Sequence, residues 1–261
     1  MPSGFRRFRT KVRDLALLAG VNLYQIQCLR WLPRFVRDCR LYEAKRTTGR
    51  FPVHLSEIMP VLVDFSSQAG VASGQYFHQD LHVARRIFDA RPSHHVDVGS
   101  RIDGFVAHLL TFMPVTVVDV RPLDGHVVGL QFEQGDLVNL GRLPTSSVES
   151  ISSLHTVEHV GLGRYGDDID PEGWRKALAE LARVVKPTGR LYVSVPIGVE
   201  RVKFNAHRIF SPHTVIEAVA GLRLVRFDAV DDGGQLRLDA SPEAFVDAHE
   251  ALGIFELTKE A

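Results

Sequence analysis

Apolar positions along the chain change period near residue 93. Between residues 11 and 46 they recur every three or four positions (Val12, Leu15, Ala19, Leu23, Ile26, Leu29, Leu32), which is the period of an amphipathic helix. Pro33 lacks the N–H that a helix interior uses, so it splits this stretch into two helices. Residues 47–75, with Thr47, Thr48, Gly49, Pro52 and Pro60, read as loop. A further helix is predicted over 76–89, ahead of Arg91 and Pro92. Short apolar runs then take over, and predict strands at 95–98, 115–120, 148–154, 190–195, 222–230 and 253–258. Helices are predicted between them at 105–112 and 173–185. In the second, Trp174, Ala177, Leu178, Leu181 and Val185 share one face, with Asp170 as N-cap and Pro171 at the first helical position. Strands apolar on both faces, alternating with helices, imply a parallel sheet covered on both sides. The expected organisation is a helical extension over 1–75 and a doubly wound α/β domain over 76–261.

Composition adds bounds. The chain has 261 residues, 45% hydrophobic and 24% charged, enough for a packed core without disulfides. Cys28 and Cys39 are too few for a disulfide scaffold or a four-cysteine zinc site, and reduced thiols in the cytoplasm are expected. The net charge is zero, but residues 1–50 carry +9 and the remainder −9. This is a basic arm on a mildly acidic body, and the body has no basic surplus for nucleic acid. The arm, with Trp31, suits peripheral contact with an anionic membrane surface at the cytoplasmic face. The alternative is a helix packed on the edge of the main domain with its arginines in water. No apolar run reaches the roughly 20 residues of a membrane span, and no secretory signal is read.

Ligands of open α/β sheets bind outside the carboxyl ends of the strands, so the informative residues lie just after each strand. Asp97-Val98-Gly99 follows the first strand: the glycine allows close backbone approach, and the carboxylate suits an ammonium or a hydroxyl. Asp119 closes the second strand 20 residues beyond Gly99, the spacing of a carboxylate that grips ribose hydroxyls. Gly135-Asp136 comes next, and Asp136 suits the exocyclic amine of adenine. His155, Glu158 and His159 follow the strand at 148–154. These last also fit the His-x-x-Glu-His zinc pattern. That pattern needs a helix and a third ligand, whereas here the first histidine follows a strand and Gly161 and Gly163 come soon after, so no metal is expected.

Together with Lys186-Pro187-Thr188-Gly189 before an apolar strand, this series resembles the class I S-adenosylmethionine-dependent methyltransferase superfamily over roughly residues 93–200. The resemblance implies a mostly parallel seven-stranded Rossmann-like sheet with an antiparallel last strand, and S-adenosyl-L-methionine as cofactor. It implies cofactor contacts from Asp97, Gly99, Ser100, Arg101, Asp119, Val120, Asp136, Leu137 and His155. The loop departs from the acidic-x-Gly-x-Gly-x-Gly form: Arg101 replaces the second glycine, and Asp103 the third, with Gly104 one residue late. Arg101 either points outward from a loop that tolerates side chains, or enters the site, where it pairs with the methionine carboxylate or blocks the cofactor. Four further segments (77–80, 95–106, 161–167 and 204–212) are similar to an uncharacterised domain-of-unknown-function family whose bacterial members are associated with surface-polysaccharide synthesis. This points to a sugar, a glycan or another small hydroxylated acceptor.

A sulfonium is already a good leaving group, whereas a hydroxyl is a weak nucleophile that needs a base. His155, His159, Glu158 and His207 are the candidates; Arg164, Tyr165, His207 and Arg208 are the candidates for holding the acceptor. The expectation is an O-methyltransferase. Its main alternative is a catalytically silent methyltransferase-like binding protein in a polysaccharide-synthesis complex. A zinc hydrolase and a dinucleotide oxidoreductase rank lower, the latter because a full Gly-x-Gly-x-x-Gly is absent.

Overall fold

The computed structural model describes residue 20 and residues 22–219 and 221–260. The described residues divide into two compact units, one up to residue 71 and one from residue 72 onward. In the first, helix α1 (Leu23–Cys28) is capped by Asn22, whose side-chain oxygen accepts from the amides of Tyr24 and Gln25. A 3-10 turn (Leu29–Trp31) leads into α2 (Leu32–Lys45). Pro33 sits in the first turn of α2, where a missing N–H breaks no helical bond, so the break falls just before it. The helical pattern at 11–19 lies outside the described residues. Trp31 packs on Phe65 with ring centroids 5.9 Å apart, and Ile26, Leu29, Leu55 and Met59 are exposed. No helix among the described residues is long and apolar enough to cross a membrane.

The second unit is an eight-stranded sheet in the order β3-β2-β1-β4-β5-β10-β8-β9. Its strands are β1 (His95–Val98), β2 (Val115–Asp119), β3 (Leu130–Gln134), β4 (Val148–Leu154), β5 (Val185–Ile197), β8 (Leu222–Val230), β9 (Leu236–Arg237) and β10 (Ala251–Lys259). The first five pair in parallel; β10 runs antiparallel between β5 and β8. The doubly wound, mostly parallel sheet with an antiparallel last strand is therefore as expected, and the eighth strand is the two-residue β9 at the edge. A small hairpin, β6 (Arg201–Lys203) and β7 (His207–Ile209), stands apart from the main sheet.

Strand alternation sends residues to two cores. On one face Val96, Val98, Val118, Ile151, Val193 and Phe255 meet Leu178 and Leu181 of helix α5 (Gly173–Val184). On the other Val115, Val117, Leu154, Tyr192 and Ile254 meet Val83 and Ile87 of α3 (Gln75–Ala90), along with Phe105 and Leu109. The predicted helix at 105–112 begins as a wide turn over Ile102–Val106 and is regular only over α4 (Ala107–Leu109). Asp170 does not cap α5. Its carboxylate accepts from the amide of Glu172 in the preceding turn, and the helix begins at Gly173. A last helix, α6 (Pro212–Ala218), precedes β8.

Candidate active site

Two adjoining cavities open at the carboxyl ends of β1, β2 and β4, with about 590 and 980 Å³ of empty space including their mouths. The first is walled by apolar Val98, Val118, Leu137 and Val160, with the carboxylates of Asp119 and Asp136 facing it. The second is walled by Tyr76, Arg101, Arg164, Tyr165, His207 and Glu250. Gly99, Arg121, His155, His159 and Tyr165 belong to both.

The turn after β1 fixes the floor. Gly99 has φ +77°, and a Cβ there would sit 2.4 Å from Cγ2 of Thr156, so the glycine is required by the chain's own packing. Asp97 lies beneath this turn and does not line either cavity. It is fully buried, and its carboxylate accepts from the Ser100 amide (3.1 Å), the Ser100 hydroxyl (2.6 Å) and the Ser152 hydroxyl (2.6 Å). Ser100 in turn accepts from the Leu154 amide, which ties β1 to β4. The expected contact of Asp97 and Ser100 with a ligand is thus corrected to support of the turn. His95 continues the network: because Ser152 donates to Asp97, it accepts from His95 Nε2–H, and Nδ1 accepts from Ser150. Burial pushes the Asp97 carboxyl up to about 6 and the His95 imidazole down to about 3.

Arg101 does not fill the cleft. Its guanidinium turns outward onto Asp103 (2.9 Å) and lies over the Tyr76 ring. The side chain that does occupy an expected ligand partner is Arg121. Its Nε and Nη2 bond both oxygens of Asp119 at 3.0 and 2.7 Å, and its backbone N–H bonds Oδ1 at 2.8 Å. Asp136 gives one oxygen to the Val138 amide in a tight turn, and Val120 and Leu137 flank the same cavity.

After β4 the chain turns sharply. His155 adopts φ +52°, unusual for a residue with a side chain. Its ring stacks on Tyr76 at 4.5 Å, and Nδ1 meets Oε1 of the buried Glu158 at 2.9 Å. Nε2 of His155 and Oε2 of Glu158 are buried without a hydrogen-bond partner among the described residues. Residues Val157–His159 form one 3-10 turn, not the helix a His-x-x-Glu-His zinc site requires. His159 is committed elsewhere: its Nδ1–H donates to the Ala206 carbonyl at 2.6 Å, a carbonyl that Arg164 also contacts at 2.9 Å. Burial lowers its pKa, against the pull of Glu158.

The segment 161–167 is ordered by Asp167, whose carboxylate accepts from the amides of Gly161, Gly163 and Tyr165. Tyr165 stands edge-on to His159 and beneath Arg121. His207 reaches Glu250 at 2.8 Å, and Lys203 also pairs with Glu250. Arg208 faces away from both cavities and donates to the carbonyls of Val160 (2.6 Å) and Pro171 (3.4 Å), so its expected acceptor role becomes a structural one. Arg121, Tyr76, Thr156 and Glu250 were missed from the sequence. Of these, Arg121 and Thr156 obeyed the rule of lying just after a strand, each two residues past its end.

A family described as Caenorhabditis protein of unknown function, DUF268, matches residues 133–239. No curated protein matches the chain at a significant level. Among solved structures, the 4+2 cyclase SpnF superposes with a TM-score of 0.51 at 15% identity, covering 70% of this chain and 81% of its own. The glycopeptide N-methyltransferase MtfA superposes at 0.50 with 10% identity, covering 71% of this chain and 96% of its own. The fold is that of the class I methyltransferases. A cyclase and a methyltransferase both resemble this unit, so the chemistry has to be argued from the site.

Proposed function

We propose that the chain is an S-adenosyl-L-methionine-dependent methyltransferase acting on a hydroxyl of a small acceptor, a sugar or glycan foremost. The observation that carries this is His155, with Nδ1 held by Glu158 and Nε2 buried and unpaired in a ring that walls both cavities. An unsatisfied buried polar atom costs about 1–3 kcal/mol, and an incoming hydroxyl would satisfy it. Glu158 accepting from Nδ1–H leaves the Nε2 lone pair to take the acceptor's proton as the hydroxyl oxygen attacks.

The first cavity suits the cofactor. Asp119 would hold the ribose, Asp136 the exocyclic amine, and Val98, Val118 and Leu137 the flat base. When bound, the cofactor supplies a methyl group on a good leaving group, so the protein's tasks are alignment, water exclusion and proton removal. Tyr76 covers the His155 ring, and His159 holds the Ala206 loop against the second cavity. The planes of Tyr76 and Tyr165 beside Arg164, His207 and Glu250 support a hydroxyl-rich acceptor, as does the resemblance noted in the sequence.

A second reading, ligand binding without catalysis, is favoured by the Arg121–Asp119 pair. Calorimetric titration with S-adenosylhomocysteine separates fold from function. We expect saturable binding, and Asp119→Ala weakens it by about tenfold or more through the loss of charge-assisted hydrogen bonds. No binding at millimolar ligand would sink the enzymatic reading.

A further inference from the structure

Arg121 has no task in the reaction just outlined, yet it holds the residue that should grip the ribose. A carboxylate offers about four lone-pair sites. Asp119 has already given three of them: two on Oδ1, to the Arg121 amide and Nε, and one on Oδ2, to Nη2. One site is left for the two hydroxyls of a ribose. The amide is fixed by the turn after β2, but the guanidinium side chain is half exposed and can leave.

Its alternative position is defined by the surroundings. The guanidinium carbon lies 4.8 Å from the centre of the Tyr165 ring, a cation–π contact made alongside the pair with Asp119. Tyr165 and Arg121 both wall the second cavity, which also carries Arg101 and Arg164. Of the two carboxylates of that cavity, Glu250 is engaged by Lys203 and His207, and Glu158 gives Oε1 to His155 while its unpartnered Oε2 is buried out of reach of solvent. A third guanidinium turned fully into the cavity has no accessible, uncommitted carboxylate to meet, and so favours an anion brought by the ligand.

We propose that Arg121 is a transferable counter-ion: a ribose diol on Asp119 displaces its guanidinium into the second cavity, where it helps to hold an anionic acceptor. This rests on the methyltransferase reading above. It makes the nucleoside and an acceptor anion mutually reinforcing, because coupling between two sites is reciprocal.

The test is calorimetric titration of S-adenosylhomocysteine into the full chain, the Arg121→Ala variant and the Arg121→Lys variant. Each is measured in chloride and in inorganic phosphate at equal ionic strength. Removing the competitor should tighten binding about three- to tenfold in Arg121→Ala, the range for a half-exposed bidentate pair, with Arg121→Lys in between. Phosphate should tighten binding to the unaltered chain by about threefold and leave Arg121→Ala unchanged. Equal or weaker binding by Arg121→Ala overturns the competition. A phosphate effect that is absent, or the same in both proteins, overturns the transfer. If neither protein binds the nucleoside, the methyltransferase reading itself fails and the proposal falls with it.

Discussion

Asp97 offers a quantitative check on how the floor of the site is built. Its carboxyl is fully buried and titrates near 6 in the folded chain, against an ordinary value of 3.8. Burial is the chief cause, and the bonds from Ser100 and Ser152 offset only part of it. The folded-state value is raised, so the stability Asp97 contributes is fully present below about 3.8 and is lost as pH rises through about 6. Integrating between these values gives a loss of about 2 kcal/mol from pH 4.5 to 7.5. Asp97→Asn removes this titration, but its amide nitrogen faces the Ser100 N–H, which costs about 1–3 kcal/mol at every pH. The absolute difference between the two proteins is therefore small at neutral pH, and its pH dependence is the signal. His95 titrates identically in both and cancels. Urea denaturation from pH 4.5 to 7.5 should show the variant gaining about 2 kcal/mol on the parent across that range. A difference that stays flat with pH would refute the assignment of a buried, reluctantly ionised carboxyl beneath the Gly99 turn.

Three further outcomes are expected. His155→Ala should bind S-adenosylhomocysteine within about threefold of the parent and lose methyl transfer. His155→Gly should be more stable than His155→Ala by about 1 kcal/mol in urea denaturation, because only glycine accepts φ +52° without strain. Gly99→Ala should destabilise by about 2–4 kcal/mol from the 2.4 Å clash with Thr156 and the positive φ, and Thr156→Ala should recover part of that loss in the double variant.

The rule that ligands meet the ends of parallel strands made much of this site legible. Asp119 ends β2, Asp136 and His155 follow β3 and β4, and all three line one cavity. Strand β3 itself was not legible as a strand, because Gln131, Glu133 and Gln134 give an edge strand no apolar run. The fate of Asp97 depends on register. His95 and Asp97 share a face of β1 with Ser150 and Ser152 of β4, and that pairing spans some 55 residues that no local pattern encodes. Arg101 and Arg121 were separated only by which carboxylate stood two residues away, Asp103 outside the cleft or Asp119 within it. Glu250 joins the site from the segment before β10, far from any motif.

Residues at equivalent strand ends differ in what they have left to offer. Asp97 is fully buried and both its oxygens are engaged by serines, so it can only support. Asp119 faces a cavity but is held by a cation that must move before it can bind a diol. His155 alone combines two local costs that its own chain does not relieve. Its left-handed backbone costs about 1 kcal/mol or more, and its unpaired Nε2 costs a similar amount. Glycine would remove the first and an apolar side chain the second, so stability argues against histidine at this position on both counts. A residue that costs stability, with one nitrogen oriented by a buried carboxylate and the other buried without a partner in a ring that walls two cavities, is most simply explained by a proton it must accept from a ligand.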